Sequence, residues 1–270
     1  MRARRLGIIA AIGASVLLAG CSAPDTDSSD AVPAPQTLKV AAVQAPMTDV
    51  VKAAGEAIEG DYEVELVEVG DYITANTILN SGDVYANFSQ HIPYMETFNE
   101  GNDGTLVGVQ PVYNFLIAFY SKTLDDIADL PDGATVAIPD DPSNTGRALK
   151  LLAAHDVIAL DPAVDPYDAT VKDVVDNPKH VEFLQVPIAS LNAAYEEADL
   201  VFQWPSHIIA LGLTPQKDGL ITELDDRFAL NLVVQQKDAD SAATAALKKA
   251  FTSDQVREVI EGNGTIQTAW

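Results

Sequence analysis

The stretch Ala137–Leu152, AIPDDPSNTGRALKLL, puts a guanidinium where a helix tolerates one poorly. It reads as a short strand, an acidic turn and then a helix beginning near Asn144. Pro142, Ser143 and Asn144 serve as start signals, and Leu149, Leu152 and Ala153 recur at helical spacing. A first helical turn already carries roughly half a positive charge, so Arg147 needs an anion beside it. Asp140 or Asp141 in the turn would supply one from within the chain. A second cluster, Ser89-Gln90-His91 followed by Pro93-Tyr94, gathers an imidazole, a phenol and two neutral polar groups. Asn231 lies inside the apolar run FALNLVV, where an amide is costly unless it finds partners. Trp204 closes the strand-like segment DLVFQW, and Pro205 is placed to start a helix.

These groups lack the arrangements that turn over substrates. There is no Gly-x-Ser-x-Gly elbow, phosphate loop or His-Glu-x-x-His helix, and the four histidines are widely scattered. The expectation is therefore a binding protein with no catalytic residues, no cofactor and no metal. Sixteen Lys+Arg stand against 40 Asp+Glu, a balance that argues against nucleic acid and against direct docking on anionic lipid.

The elements that must position these residues begin after an export segment. MRARR is a basic start, LGIIAAIGASVLLAG is an apolar run too short for a membrane span, and small residues end it at Leu18-Ala19-Gly20-Cys21. The last four look like a lipobox, so residues 1–20 are expected to be a lipoprotein signal peptide and Cys21, the one cysteine, the lipid attachment point on the outer face of the cell membrane. Cleavage removes Arg2, Arg4 and Arg5, leaving 13 basic residues against 40 acidic, a charge of −27. Residues 21–37, rich in Pro, Ser, Ala and Asp, read as a flexible tether. From Leu38 onward strand-like and helix-like segments alternate. LKVAAV, YEVELVEV, ATVAIP, VEFLQV, DLVFQW and FALNLVV are read as strands, and TLVGVQPVYNFLIAFYS as one or two more. MTDVVKAAGEAI, ATVKDVVDN and ASLNAAYEEA are read as helices, and the last residues as one long helix or a bent pair. Such alternation implies α/β lobes around largely parallel sheets. An exported, two-lobed α/β chain points to a protein that traps a small molecule in an interlobe cleft closing about a hinge.

Motifs in a fixed order sharpen this. Gly70–Glu100 carries Asp71-Tyr72, Asn76, Asn87, Gln90-His91 and Pro93-Tyr94, and YSKTLDDIADLPDGATVAIPDDPSNTGRALKLL follows. Together with DLVFQWPSHIIALGL and FALNLVV, these resemble the NlpA/MetQ-type methionine-binding lipoproteins over essentially the whole mature chain. The resemblance implies a two-lobed periplasmic-binding-protein-like fold, with residues 38–119 plus 229–270 as one lobe and 120–228 as the other. It implies a ligand that is methionine or a related small amino acid, passed to an ABC permease with a cytoplasmic ATPase. The α-carboxylate would meet Arg147 and the helix start at Asn144. Tyr72, His91 and Tyr94 would surround the side chain, and Asn231 would meet the main-chain end.

Several positions depart from the family pattern. Ser89 stands where an aromatic is usual, Trp204-Pro205-Ser206 replaces an Asn-Gly-Asn run, and His207 replaces a Tyr. Phe115-Leu116 stands for a Glu-Pro pair, Met47 for a His, and Asp140 for an Asn. Trp204 would fill the volume lost at Ser89, and Ser206 or a nearby carboxylate would offer a new anchor for the ammonium. The alternatives are a dipeptide or organic acid in the same fold, or a receptor lipoprotein whose pocket is lost.

Overall fold

The computed structural model describes residues 34–270, so the predicted signal peptide, Cys21 and most of the tether lie outside the described residues. Ala34–Trp270 forms one compact unit. In chain order its elements are β1 (Gln36–Ala42), α1 (Met47–Ala57), β2 (Tyr62–Glu68), α2 (Tyr72–Ser81), β3 (Ala86–His91), α3 (Ile92–Asn102) and β4 (Leu106–Phe115). Then come β5 (Ile117–Tyr120), β6 (Thr135–Pro139), α4 (Pro142–Ala154), β7 (Ala159–Leu160), β8 (Val174–Asp176) and β9 (Glu182–Val186). The chain continues through α5 (Leu191–Ala194), β10 (Leu200–Gln203), α6 (Pro205–Ile208), α7 (Pro215–Asp218) and β11 (Ile221–Glu223). It ends with β12 (Leu230–Gln235), α8 (Ala242–Phe251), α9 (Asp254–Asn263) and β13 (Ile266–Thr268).

Two sheets carry the architecture. The first has the order β13-β4-β12-β3-β1-β2 and the second β11-β5-β10-β6-β9. In the first, β1 pairs in parallel with β2 and β3, as helical crossovers require. The chain then leaves this sheet after Phe115 and enters the second at Ile117. It returns as β12, which inserts between β3 and β4 and runs antiparallel to both. In the second sheet β6 is parallel to β9 and β10, whereas β5 is antiparallel to β10 and β11. Both sheets are thus mixed, a departure from the largely parallel expectation that arises where the chain crosses between them.

Local chemistry sets the helix ends. Asp71 caps α2 by accepting from the Thr74 N–H at 2.7 Å, and Gly82 ends it at φ 86°, a left-handed conformation that glycine adopts without penalty. Ser241 and Ser253 cap α8 and α9, which divides the C-terminal helical text into a pair. ATVKDVVDN is not a helix. Thr170 and Asp173 close a capping box over a single 3-10 turn, and the β-branched pair Val174-Val175 then extends as β8 against β7. ASLNAAYEEA forms only a 3-10 turn and the short α5. No helix among the described residues is long and apolar enough to cross a membrane.

Candidate functional site

A cavity of about 550 Å³, counting the space at its mouth, lies where strand ends of the two sheets face each other. Its position follows the rule for α/β proteins, in which ligands sit beyond the carboxyl ends of the strands. From the first sheet come Ser89, Gln90 and His91 at the end of β3, Tyr113 and Phe115 at the end of β4, and Leu230 at the start of β12. From the second come Asn144 in the first turn of α4, and Trp204, Pro205 and Ser206, where β10 runs into α6. Tyr72 opens α2 and Tyr94 lies in the first turn of α3, so both phenols reach the same space.

His91 is fixed by two bonds. Its Nδ1 accepts from the Tyr94 N–H at 3.1 Å, which makes it the N-cap of α3. The ring proton therefore sits on Nε2 and is donated to Asn144 Oδ1 at 3.0 Å. The Asn144 amide in turn donates to both oxygens of Asp141, at 2.9 and 3.0 Å. Asp141, not Ser143 or Asn144, caps α4: it accepts from the Asn144 N–H at 3.0 Å and the Ser143 hydroxyl at 2.9 Å. The helix accordingly begins at Pro142, slightly ahead of the sequence expectation. Burial, with the Arg147 charge adding to it, pulls the His91 pKa down to about 3, so the imidazole is neutral. Burial raises Asp141 against its hydrogen bonds.

A second bond crosses the cleft from the Tyr72 hydroxyl to His207 Nε2 at 2.8 Å. Burial lowers the His207 pKa to about 4 and raises the Tyr72 and Tyr94 phenols. Tyr72 also meets Tyr94 edge to face at 6.2 Å. Ser89 donates to Asn87, and Asn87, Asn76 and Gln90 share buried amide hydrogen bonds that hold the Ser89–His91 strand end rigid. Trp204 packs edge-on against Phe202 at 5.3 Å while also lining the cavity, so it is both a core tryptophan and a wall residue.

Two predicted residues are not on the wall. Asn231 follows Leu230 on β12, but Leu230 takes the cavity side. The Asn231 amide donates to Ala229 O at 2.9 Å, and its carbonyl side lies toward Gly108. Arg147 is buried and does not line the cavity. Its Nε donates to Glu223 Oε1 at 2.8 Å, and its guanidinium lies 4.1 Å from the Phe228 ring centre and 5.4 Å from that of Phe115. The internal anion is therefore Glu223 of β11 and neither aspartate of the turn. Nη1 of Arg147 is buried without a hydrogen-bond partner. Sequence reasoning missed the Tyr72–His207 bond, Glu223 and the β13 contribution of Ile266. Only His207 carried a signal, as a departure from the family pattern.

Two sheets joined at two crossings, with a cavity between their strand ends, define a two-lobed solute-binding protein of the periplasmic type. The chain belongs to the NlpA lipoprotein family, which it matches over residues 38–269. It is 34% identical to the methionine-binding lipoprotein MetQ of Bacillus subtilis strain 168, over 93% of this chain and 94% of that one. It is 32% identical to the D-methionine-binding lipoprotein MetQ of Escherichia coli K12, over 97% of each. Among solved structures it resembles a nutrient binding protein from Burkholderia cenocepacia bound to methionine, with a TM-score of 0.81, 31% identity, and coverage of 86% of this chain and 100% of that one.

Proposed function

We propose that this chain is the lipid-anchored binding component of an ABC importer, and that its cleft captures methionine or a similar small amino acid for a permease with a cytoplasmic ATPase. The observation that carries the reading is Arg147: a buried guanidinium paired through Nε with Glu223, its Nη1 unpartnered, and 5.4 Å from the ring of Phe115, which lines the cavity. A buried donor left without an acceptor costs about 1–3 kcal/mol, more when charged, and a carboxylate entering beside Phe115 and His91 relieves that cost. Tyr72, Tyr94 and Trp204 offer aromatic faces and edges suited to a thioether. Ser89 and Ser206 supply hydroxyls, and Asn144 and His91 act mainly through the bond they make across the cleft. The names of the family's relatives support the same ligand.

In this reading the lobes hinge at Leu116 and Ala229. The first point lies ahead of the expected 119/120 boundary because β5 pairs with β10 and β11 of the second sheet, and the second keeps the expected 228/229 boundary. Closure is held by His91–Asn144 and Tyr72–His207, each pairing a residue from one sheet's side with one from the other's. Cys21 carries the lipid that holds the protein at the outer face of the membrane. The test is uptake of labelled methionine by cells that lack this chain and by cells that carry Cys21→Ala. Loss of uptake in the first, and release of the protein from the membrane in the second, are expected. Undiminished uptake without the chain would overturn the assignment.

A further inference from the structure

The cavity wall contains no ionised side chain. It is built from Tyr, Ser, Gln, His, Asn and Thr side chains and apolar groups, with no Asp, Glu, Lys or Arg among them. Among the described residues, the charged side chain near the site with an unpartnered buried donor is Arg147, whose Nη1 has no acceptor although its Nε is paired with Glu223. The carboxylates closest to the site residues are already engaged. Asp141 accepts four hydrogen bonds from Ser143 and Asn144. Glu223 holds Arg147 and lies 3.6 Å from Lys150. Asp225 accepts from Tyr167 and from Lys150, the latter at 3.2 Å. Asp71 is occupied as the cap of α2, and Asp140 is exposed. Pro205 stands in the wall with no N–H to give or to orient. A zwitterionic amino acid brings two charges into this space, and the site is equipped for one.

We propose that the cleft reads a carboxylate and an apolar or thioether tail but not an α-ammonium, so that α-hydroxy and α-oxo acids are ligands alongside amino acids. This rests on the binding function proposed above and specifies its ligand class. The physical reason is a matter of which group would be left unpaired. A site that presents a dedicated partner to a ligand group rejects the analogue lacking it by several orders of magnitude, because the partner is then buried alone. Here no carboxylate waits for an ammonium, so removing that ammonium leaves nothing unpaired. It also relieves the burial of a cation that has only neutral hydroxyls and amide oxygens for company. Nη1 of Arg147, by contrast, lacks an acceptor, and a ligand without a carboxylate leaves it as it was.

The experiment is calorimetric titration of the detergent-solubilised full-length chain, unfolded and refolded first to strip ligand carried from the host. The probes are L-methionine, its α-hydroxy analogue, and the amine that keeps the ammonium and thioether tail but lacks the carboxylate. The α-hydroxy acid is expected to bind within tenfold of methionine or more tightly, and to displace it from the same site. The amine is expected to give no heat. Methionine binding with the hydroxy acid more than tenfold weaker would overturn the proposal while leaving the importer function standing. So would an amine that binds as well as methionine. Failure of both methionine and its hydroxy analogue to bind, with the protein folded, would overturn the methionine-type function itself and this inference with it.

Discussion

Arg147→Ala separates two tasks of this residue. Its Nε–Glu223 bond of 2.8 Å and its place 4.1 Å from the Phe228 ring belong to the fold. Its unpartnered Nη1 is the donor proposed to meet the ligand. Charge-assisted hydrogen bonds contribute about 1.5–3 kcal/mol each, and truncating one side of a buried charged pair at an interface costs about 2–5 kcal/mol. At about 1.4 kcal/mol per decade, that is roughly a thirtyfold to several-thousandfold loss of affinity. The unliganded protein should suffer less than the about 3–5 kcal/mol of a fully orphaned buried ion. The reason is Lys150, which remains 3.6 Å from the other Glu223 oxygen. The assay pairs calorimetric titration of methionine with thermal unfolding of the empty protein. Arg147→Lys keeps a cation beside Glu223 but offers one compact head group where two directions need serving, so it should fall between wild type and Ala. A folded Arg147→Ala protein that binds methionine with unchanged affinity would refute the reasoning and leave Arg147 as a purely structural residue.

Acid should destabilise the fold through its two buried imidazoles. Their pKa values are drawn down to about 3 for His91 and about 4 for His207, so their contribution is whole above the ordinary value near 6.5 and is lost as pH falls toward those lower values. Between about pH 7.5 and about pH 5.5 the unfolded chain takes up protons that the fold refuses, and urea unfolding should register a loss of about 2–3 kcal/mol. His207→Gln should remove roughly half of that dependence; an unchanged slope would count against it. Gly146→Ala should destabilise by about 1–3 kcal/mol despite alanine's better helix propensity, because the new Cβ would lie 2.1 Å from Tyr167 O, a backbone atom that cannot swing away. Thermal unfolding checks this, and a rise in Tm would contradict the packing described. Trp204, 7% exposed and lining the cavity, should report ligand by its fluorescence, and Trp204→Phe should abolish the ligand-dependent part of the emission while Trp270 continues to emit.

The parts of this molecule that sequence made visible are those decided within a few residues. The α4 start was legible because a Pro-Ser-Asn run announces a helix, even though the capping oxygen belongs to Asp141, just ahead of that run. The His91–Tyr94 cluster was legible because one strand end and one helix start bring it together within a single turn. What escaped was decided by tertiary pairing. Glu223 lies 76 residues beyond Arg147 and meets it only because β11 and α4 belong to the same side of the cleft. His207 meets Tyr72 across 135 residues, and nothing local to either predicts the other. Asn231 was placed at the ligand because an amide in an apolar strand must have partners. Its partner is Ala229 O, and its strand neighbour Leu230, whose side chain points to the opposite face, takes the cavity side. ATVKDVVDN reads as a helix in sequence, but the β-branched Val174-Val175 and the Thr170–Asp173 capping box make it a 3-10 turn followed by a strand.

Everything proposed for this chain depends on the closed cleft being a working amino-acid site and not a vestige of one. Titration of L-methionine into the ligand-stripped protein tests that most directly. Binding near micromolar, about −8 kcal/mol, is the expected result. A folded protein that gives no heat with methionine across the accessible concentration range would contradict it.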